Sequence, residues 1–531
     1  MKILEWKRSS YYGNTVEEVM KKKTGLSLNE LNQTIHQKLN RVEKMAEALL
    51  SIKDNLETVY LLGDYDVDGI TSSLCMSLIF DALGLIYEVY IPRRMTDGYG
   101  VSENSLKKAA AYDVIITVDN GITAKELLDK TGKEVYVIDH HQAREDGALP
   151  NAKIILDPEV TMDDDFIHYC GVGLVYKIAE SLYQKKVLSN AVMRKIAFLC
   201  MLGTIADVMP LIDENRTFVR NGLLLLQQGM FSELAEKTKL SPYATATDIA
   251  FGVAPIVNAC GRLYDAGGQK IYDELYRYIT KDNADMLDYF IAINEKRKKM
   301  QNAFFDEAWK KFETMSAMYP NVILLPNCPE GLVGIMAGKI QERTKKTTIV
   351  FTKTAKGTLK GSARGDDFMN VKEFLDKHKD LFLGYGGHKS AAGMSMTENS
   401  FHEFLSFAQS NAENAPECFE LYDMDCPFSK LGSIILSYME YEPYGEGCRK
   451  PIIRTVIEGT AYDGKWYRTM SEDRSFQLYT KDGIEVLGFN LAQKYKEYGT
   501  PKKIEALGTL SESSFRGKSQ TVFELIDFRP I

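Results

Sequence analysis

The stretch TVYLLGDYDVDG at residues 58–69 decides the fold, because an apolar run passes directly into a turn rich in aspartate. The β-branched part of this run is Val59–Leu62, and comparable runs recur at Val114–Val118, Val135–Ile138 and Ile154–Leu156. Each run is too short and too continuous for a half-exposed antiparallel strand. The pattern therefore predicts an α/β fold in which buried parallel strands alternate with helices. Ligands of such sheets bind beyond the carboxyl ends of the strands.

Composition places the chain among globular proteins with several cores. Its 531 residues are 45% hydrophobic and 26% charged, which suggests about three domains. The eight cysteines form no C-x-x-C pair, and we expect reduced thiols in a cytoplasmic protein. The N-terminus lacks the apolar core of a signal peptide, and no run of about 18 uncharged apolar residues occurs. We therefore expect neither secretion nor a membrane span.

The net charge of −8 argues against a protein that holds nucleic acid by bulk positive charge. A metal site concentrates carboxylates, however, so a basic groove can coexist with an acidic total. The charge therefore leaves a nucleic-acid enzyme open.

The later parts of the chain have different patterns. Residues 171–312 look helical, and apolar residues recur at Met300, Phe304, Ala308 and Phe312 beside the basic run Lys296–Lys299. This pattern fits a long helix that bridges two domains, or equally the solvated charged face of a bundle helix. Residues 320–410 return to strand–helix alternation. Beyond Pro443, five strand-like runs with a helix near 491–497 suggest an OB-fold β-barrel.

Acidic residues follow the predicted strands. Four segments carry them, namely GDYDVDG at 63–69, VDNG at 118–121, DHH at 139–141 and GTIAD at 203–207. Carboxylates packed this closely repel one another unless cations neutralise them. Two divalent ions about 4 Å apart would do so, and such a pair activates water and stabilises both oxygens of a phosphoryl displacement. The mixture of carboxylate and imidazole favours two Mn²⁺ ions, with Mg²⁺ as the alternative.

The run DYDVDG also imitates the first half of an EF-hand calcium loop. That loop needs a bidentate glutamate at its twelfth position, which is Cys75 here. It also needs flanking helices, whereas a strand precedes this run. A lone D-x-D-x-D is most often a turn, but four such segments at predicted strand ends make coincidence a poor explanation.

The motifs together resemble the DHH phosphoesterases, and most closely the RecJ-like branch of that family. The resemblance rests on GDYDVDGITSS, TVDNGIT, IDHHQ and GTIADVMPL, which occur in the family's order. It is extended by IPRRMTDGYG at 91–100, PIVNACGRL at 255–263, GLVGIMAGKI at 331–340 and GSARG at 361–365. The segment GYGGHKSAAGMS at 384–395 is similar to the signature of the DHHA1 domain. The resemblance runs from about residue 50 to the C-terminus.

The resemblance implies a domain order. A DHH domain with an N-terminal helical extension would span residues 1–225, and a helical connector would span 226–315. A second α/β domain of the DHHA1 type would span 316–415, and an OB-fold-like nucleic-acid-binding domain would span 416–531.

The resemblance also implies a set of metal ligands. Asp66 and Asp68 would bind different ions and Asp119 would bridge both. His140 and Asp207 would complete the more closed site, and Asp64 would help at the other. Apart from Asp64, these residues and His141 are the expected catalytic group. Other DHH enzymes carry a histidine four residues before the first of these acids. Leu62 stands there in this chain, so one ion would be held more weakly.

The expected substrate contacts are the family's phosphate-handling residues. They are Arg94, Asn258, Arg262, Ser362, Arg364, Gly386, Gly387 and His388. Arginine suits this task because its planar guanidinium group can donate two hydrogen bonds to one phosphate. Glycines let backbone N–H groups approach a phosphate. His141 would either contact the scissile phosphate or orient His140. Gly365 departs from the family, which more often has serine after GSAR.

In the C-terminal region, six residues are candidates for stacking on bases, and about half of the aromatics are expected to be core. They are Trp466, Tyr467, Phe476, Tyr479, Phe515 and Arg516.

The function implied by the resemblance is hydrolysis of single-stranded DNA in the 5′→3′ direction, releasing 5′-mononucleotides, in DNA repair and recombination. A nanoRNA or cyclic-dinucleotide phosphodiesterase is one alternative, although such enzymes usually consist of the DHH and DHHA1 domains alone. A non-catalytic replication scaffold is a second alternative, although such relatives lose their acids. We expect a monomer whose partners are single-stranded DNA and a single-stranded-DNA-binding protein or helicase.

Overall fold

The computed structural model describes residues 5–241, 243–281, 287–471, 473–515 and 518–531. The chain begins with a short strand and two short helices, β1 (Glu5–Arg8), α1 (Val16–Thr24) and α2 (Leu28–Leu31). Thr15 caps α1 by accepting the Glu18 N–H, and Gly25 ends it in the left-handed conformation.

No helix in the described part of the chain combines the length and the apolar character needed to cross a bilayer.

The first α/β unit is a five-stranded, all-parallel sheet with the strand order β3-β2-β4-β5-β6. Its elements are α3 (Val42–Asp54), β2 (Thr58–Leu62), α4 (Val67–Leu83), β3 (Ile86–Tyr90), β4 (Val114–Val118), α5 (Lys125–Asp129), β5 (Glu134–Ile138), β6 (Ile154–Leu156), α6 (Pro158–Thr161), α7 (Gly171–Gln184), α8 (Asn190–Ala206) and α9 (Asp213–Gln227). The parallel strands predicted from the apolar runs are confirmed. The edge strand β3 was not predicted.

A helical region follows, with α10 (Ser232–Thr238), α11 (Ala246–Asp248), α12 (Ala254–Leu263), α13 (Gly267–Lys281) and α14 (Leu287–Thr314). The first half of α14 packs in the core of the first unit through Leu287 and Phe290. Its second half packs in another core through Ala308 and Trp309. The prediction of a helix that bridges two domains is therefore confirmed.

The second α/β unit has a five-stranded sheet with the order β10-β11-β9-β8-β7. Its elements are β7 (Asn321–Leu324), α15 (Glu330–Thr344), β8 (Thr348–Lys353), β9 (Leu359–Arg364), α16 (Val371–Lys377), β10 (Gly384–Gly387), β11 (Ala391–Met396) and α17 (Glu398–Ser410). Only β7 and β8 pair in parallel, and the other neighbours are antiparallel.

The C-terminal part forms a seven-stranded sheet with the order β13-β14-β18-β19-β17-β16-β15. Its elements are β12 (Phe419–Tyr422), β13 (Met424–Asp425), α18 (Leu431–Met439), β14 (Ile453–Glu458), β15 (Tyr467–Met470), β16 (Ser475–Leu478), β17 (Glu485–Gly488), α19 (Ala492–Glu497), β18 (Lys503–Phe515) and β19 (Lys518–Pro530). The predicted strand-rich region is present. No ladder among the described residues joins the end strands β13 and β15 into a closed barrel.

The N-terminal segment, residues 5–31, packs with this C-terminal part, whereas α3 packs in the core of the first unit. The expected helical extension of the first domain is therefore present as α3, and the expectation is corrected for residues 5–31. Strand β1 pairs in parallel with β12, so Glu5 lies opposite Phe419. Val16, Val19 and Met20 of α1 are buried in the C-terminal core. These apolar side chains recur at helical spacing on one face, and α18 presents the complementary apolar face. The C-terminal core therefore includes both ends of the described chain.

Candidate active site

Two neighbouring strands of the first sheet, β2 and β4, are followed by buried aspartates. After β2 the chain continues to β3 on one side, and after β4 it continues to β5 on the other side, so a crevice opens between the carboxyl ends of β2 and β4. Asp64 follows β2 and Asp119 follows β4, and both are buried. Asp119 has the left-handed φ of 58°, a strained conformation for a residue with a side chain, and such strain clusters at functional sites.

Helices bring further acids to this crevice. Asp66 caps α4 by accepting the Gly69 N–H at 3.1 Å, and Asp68 lies in the first turn of that helix. The N-terminus of α7 points at Asp68, where Gly171 and Val172 donate their N–H groups at 2.6 and 2.9 Å. A Cβ atom on Gly171 would lie 2.9 Å from the Asp119 Cβ. The approach of α7 therefore requires glycine at this position.

The DHH turn after β5 places two imidazoles in the same crevice. The Nε2 atom of His140 lies 3.0 Å from Asp119 Oδ1, 3.7 Å from Asp68 Oδ2 and 3.8 Å from Asp207 Oδ2. Asp207 reaches this point from the C-terminal end of α8. His140 is therefore the centre around which three separate elements converge.

Asp139 holds the DHH turn in place. Its Oδ1 atom accepts a hydrogen bond from His141 Nδ1 at 2.7 Å, and its Oδ2 atom accepts the Ile122 N–H at 2.9 Å. Although burial lowers the pKa of His141, the hydrogen bond to Asp139 and its charge raise that pKa to about 9. His141 is therefore positively charged at neutral pH in the metal-free protein.

Two groups of acids and His140 share no member, and a third group, Asp119 with His140 and His141, overlaps both. Ligand atoms of Asp64, Asp66 and Asp119 lie within 4.8 Å of one another. The same is true of one ligand atom each from Asp68, His140 and Asp207. The 3.0 Å contact between Asp119 and His140 connects the two groups.

The buried carboxylates of these groups lie close together, and their negative charge is stabilised when cations bind. Burial raises the pKa of Asp64, Asp119 and Asp207 well above ordinary values, and neighbouring aspartates raise all three further. No hydrogen bond of normal geometry reaches either carboxylate oxygen of Asp64 or Oδ2 of Asp207. Buried carboxylates with unused oxygens are the ligands that divalent ions take. The donor set therefore fits divalent metal ions.

Arginines of several other elements gather beside this acidic crevice. Arg262 ends α12 and donates to the Gly331 carbonyl at the start of α15, at 3.2 Å. Burial lowers the pKa of Arg262 to about 10, and the charges of Arg94, Arg297 and Arg364 contribute. The guanidinium of Arg364, at the end of β9, donates to Ser362 Oγ at 3.1 Å and to the Ala363 carbonyl at 2.8 Å.

These arginines lack acidic partners. Within the described residues, no ion pair joins Arg94, Arg262, Arg297 or Arg364 to a carboxylate. Arg297 is buried and donates only to the neutral Asn294 and Gln301. Buried guanidinium groups held by neutral partners are suited to an anion that arrives from outside. We call this arginine cluster the phosphate pocket.

Comparison with known proteins identifies the chain. Residues 58–204 match the DHH family, N-terminal domain, and residues 320–414 match the DHHA1 domain. The single-stranded-DNA-specific exonuclease RecJ of Salmonella typhimurium is 31% identical over 406 residues, which cover 69% of this chain and 68% of the relative. The chain belongs to the RecJ family. RecJ of Thermus thermophilus is 29% identical over 480 residues, covering 88% of this chain and 68% of that protein.

A solved RecJ structure extends the likeness to nearly the whole fold. The crystal structure of RecJ in complex with Mn²⁺ from Thermus thermophilus has a TM-score of 0.79 and 25% identity. The alignment covers 97% of this chain and 76% of that one. The second unit is thus the DHHA1 domain of a RecJ family member.

The other residues expected from the family resemblance lie in different parts of the structure. Arg94 stacks on the Tyr65 ring, 4.7 Å from its centroid, beside Asp64 and Asp66. Asn258 lies one helical turn before Arg262 on the same face of α12. Gly386, Gly387 and His388 form an exposed hairpin tip, where the His388 N–H bonds to the Ala391 carbonyl. No hydrogen bond or ion pair among the described residues joins this tip to the aspartates.

Two departures from the RecJ-like pattern have local explanations. Leu62 packs in the core on the sheet face that carries Tyr60, together with Leu128 of α5. A Cβ atom on Gly365 would lie 2.8 Å from a Val371 methyl, so a serine there would force a shift.

The candidates for base stacking divide into core and surface. Phe476 is fully buried and stacks on Tyr495 at 4.2 Å. The Trp466 indole donates to the Tyr495 hydroxyl, and Tyr467 packs on the same core. Tyr479 lies 5.5 Å from the exposed Tyr462. Arg516 and the side chain of Phe515 lie outside the described residues.

Sequence reasoning missed four residues of this site. Asp139 is the first residue of the DHH motif, but the sequence alone did not indicate a role for it. Tyr99 lies within IPRRMTDGYG, and Arg297 lies within the basic run at 296–299. Gly171 carries no local signal, because its importance depends on Asp68, 103 residues earlier.

Proposed function

We propose that this chain is a metal-dependent exonuclease that hydrolyses single-stranded DNA in the 5′→3′ direction and releases 5′-mononucleotides. The observation that carries the proposal is the buried aspartate–histidine crevice beside a phosphate pocket that lacks acidic partners. The RecJ relatives are named as single-stranded-DNA-specific exonucleases, which supports the same substrate. Acids and arginines together can bind and cleave a phosphodiester.

The crevice would hold two divalent ions. Asp64, Asp66 and Asp119 would hold one, while Asp68, His140 and Asp207 would hold the other, with Asp119 bridging both. When bound, such ions supply an activated water and neutralise the charge that develops on the phosphate oxygens. We propose Mn²⁺, with Mg²⁺ as the alternative, because an imidazole lies among the carboxylates.

The residues of the chain would position the substrate. Asp139 holds the His141 ring next to the acids, so His141 can contact the scissile phosphate without losing its orientation. Ser362, Arg364 and Arg262 would hold the terminal phosphate through charge-assisted hydrogen bonds. Arg94 is fixed on Tyr65 at the mouth of the crevice, where its bulk would oppose a second strand.

We propose that the C-terminal sheet is an OB-fold that binds single-stranded DNA. The order β14-β18-β19-β17-β16, the parallel pairing of β17 with β19 and the helix between β17 and β18 fit a partly open five-stranded barrel. The exposed Tyr462 with its neighbour Tyr479 offers rings for bases. We propose domain boundaries near 225, 315 and 415, with the N-terminal segment assigned to the last domain.

The cellular setting is also a proposal. All eight cysteines are free, as expected in a reducing cytoplasm. A monomer that works on single strands during DNA repair and recombination would cooperate with a helicase or a single-stranded-DNA-binding protein. The phosphate pocket would act on the end that such partners expose.

The function is tested with Mn²⁺ and matched end-labelled substrates, namely a long single strand, its duplex and a dinucleotide. We expect the single strand to be degraded fastest, and Asp119→Asn to abolish hydrolysis because the proposed bridging carboxylate serves both ions. Circular dichroism checks that the variant stays folded. Fastest turnover of the dinucleotide would indicate a small-substrate phosphodiesterase, and no turnover of any substrate would indicate a scaffold.

A further inference from the structure

The hydroxyl group of Tyr99 lies against His141 and Asp119 at once. It is 2.8 Å from His141 Nε2 and 3.1 Å from His141 Nδ1, and it donates to the Asp119 carbonyl at 3.2 Å. A single oxygen cannot lie in the imidazole plane close to both ring nitrogens without meeting the carbon between them. The hydroxyl therefore rests on the face of the ring, in agreement with the T-shaped arrangement of the two rings at 67°.

The ring of His141 is thereby fixed from several directions. Asp139 accepts the hydrogen bond of Nδ1 at 2.7 Å, and the His140 ring lies 4.4 Å away at an angle of 52°. Nδ1 is occupied and one face is covered, and among the described residues Tyr99 is the only hydrogen-bonding neighbour of Nε2. A phosphate oxygen could accept a hydrogen bond from Nε2 in the plane of the ring.

The same hydroxyl supports the backbone of Asp119. This residue has the left-handed φ of 58°, which needs surrounding contacts to persist. Its N–H bonds to Ile138 and its carbonyl accepts the Tyr99 hydroxyl. Tyr99 thus connects the DHH turn with the turn that follows β4.

The loop that carries Tyr99 is held firmly on both sides. Asp97 accepts hydrogen bonds from the Tyr90 hydroxyl at 2.7 Å and from Asn104. Asp265 accepts the N–H groups of Met95 and Thr96 at 2.8 and 3.1 Å. Because these contacts fix the loop, the position of the Tyr99 ring does not depend on its hydroxyl alone.

We propose that Tyr99 is a positioning residue that holds the His141 ring in the orientation needed to contact the scissile phosphate. The proposal rests on the proposed function for its kinetic consequence only, because the fixed ring orientation can be observed in protein without metal or DNA. Tyr99 itself need not touch the substrate.

The test is Tyr99→Phe, which keeps the ring and removes the hydroxyl. Loss of one hydrogen-bonding group should lower kcat about three- to tenfold and leave KM within about twofold. Tyr112→Phe is the matched control, because its hydroxyl bonds to Glu88 away from the crevice. The thermal midpoint of Tyr99→Phe should match that of the control.

A second readout does not depend on activity. The chain has seven histidines, so ¹⁵N-histidine spectra of the metal-free protein are simple, and His141→Gln assigns the signal of His141. We expect Tyr99→Phe to shift or broaden that signal and Tyr112→Phe to leave it unchanged. An unchanged signal, a kcat within twofold of the wild type or a loss confined to KM would overturn the proposal. If the wild type cleaves no DNA, the proposed function fails while the spectra still decide the role of Tyr99.

Discussion

Gly171 donates its backbone N–H to the Asp68 carboxylate at 2.6 Å, across 103 residues of sequence. Val172 donates to the other oxygen of the same carboxylate at 2.9 Å. The N-terminus of α7 therefore orients Asp68 with two hydrogen bonds and with the positive end of the helix dipole. The position of one proposed ligand thus depends on a helix that contributes no ligand of its own.

Replacing Gly171 with alanine should disturb this arrangement. The new Cβ atom would lie 2.9 Å from the Asp119 Cβ and 3.0 Å from Asp68 Oδ2, so α7 would have to retreat. We expect Gly171→Ala to weaken Mn²⁺ binding at least tenfold, by analogy with the typical effect of losing a group that orients a ligand. Isothermal titration with Mn²⁺ measures this effect.

Gly173→Ala is the matched control on the same helix. Its Cβ atom would meet Tyr169 at 3.4 Å, an ordinary contact, and no aspartate. Equal Mn²⁺ affinity in the two variants would contradict the role given to Gly171.

Arg364→Ala should impair recognition of the DNA end. A guanidinium that lacks an acidic partner can bind a terminal phosphate, and charge-assisted hydrogen bonds are each worth about 1.5–3 kcal/mol. We expect about a tenfold or greater loss of apparent affinity for 5′-phosphorylated ends, and a smaller loss for 5′-hydroxyl ends. Lys360→Ala on the same strand is the control, because Lys360 pairs with Glu330. A wild type that ignores the 5′ end, or digests equally from the 3′ end, would refute both the pocket and the polarity.

Met20→Ala should destabilise the C-terminal part of the molecule. Met20 is fully buried in the C-terminal core, and replacing a buried methionine with alanine typically costs about 2–5 kcal/mol. Amide hydrogen exchange in β14 and β18 should become faster than in the wild type, while kcat on short oligonucleotides should stay the same. Lys21→Ala, on the exposed face of α1, should have neither effect. Unchanged exchange in the C-terminal sheet would contradict the packing of α1.

Asp157→Asn should change how stability depends on pH. Burial, with a smaller contribution from the charge of Asp139, raises the pKa of Asp157 from 3.8 to about 8. The folded protein therefore binds this proton between about pH 4 and 8 while the unfolded chain has released it, so stability falls as pH rises through that window. Asparagine can still cap α6 and carries no charge.

We therefore expect Asp157→Asn to become progressively more stable than the wild type up to pH 8, by on the order of 5 kcal/mol in total because each pH unit between the folded and unfolded pKa corresponds to about 1.4 kcal/mol, and the difference to stay level above it. Urea unfolding at several pH values measures the difference. Glu159→Gln on the same helix controls for the loss of one negative charge. A constant difference from pH 4 to 8 would show that Asp157 does not titrate as described.

The acidic part of the site could be predicted from sequence because its residues follow strands directly. Asp64 and Asp119 come after continuous apolar runs, and parallel strands bring their carboxyl ends to one edge. That edge predicts a cluster of acids, while the assignment of individual ligands rests on the resemblance to the DHH family. Strand β3 could not be found in the same way, because it lies at the edge of the sheet and tolerates Glu88 among apolar residues.

Long-range partners explain what the sequence could not reveal. Arg297 lies within a basic run that is otherwise solvated, and only the packing of α14 buries it. Tyr99 acquires its role from His141, 42 residues later. The apolar face of α1 is visible in the sequence, but nothing local indicates that its partner lies beyond residue 418.

The pairing of β1 with β12 also orders events during synthesis. Glu5 meets Phe419, so more than 400 residues separate the two partners. At roughly 5–20 residues per second, a ribosome needs on the order of 20–80 s to make the intervening chain. For that time the apolar face of α1 lacks the C-terminal residues against which it packs in the folded protein. We therefore expect this apolar surface of a nascent chain to stay exposed until the C-terminal sheet has emerged.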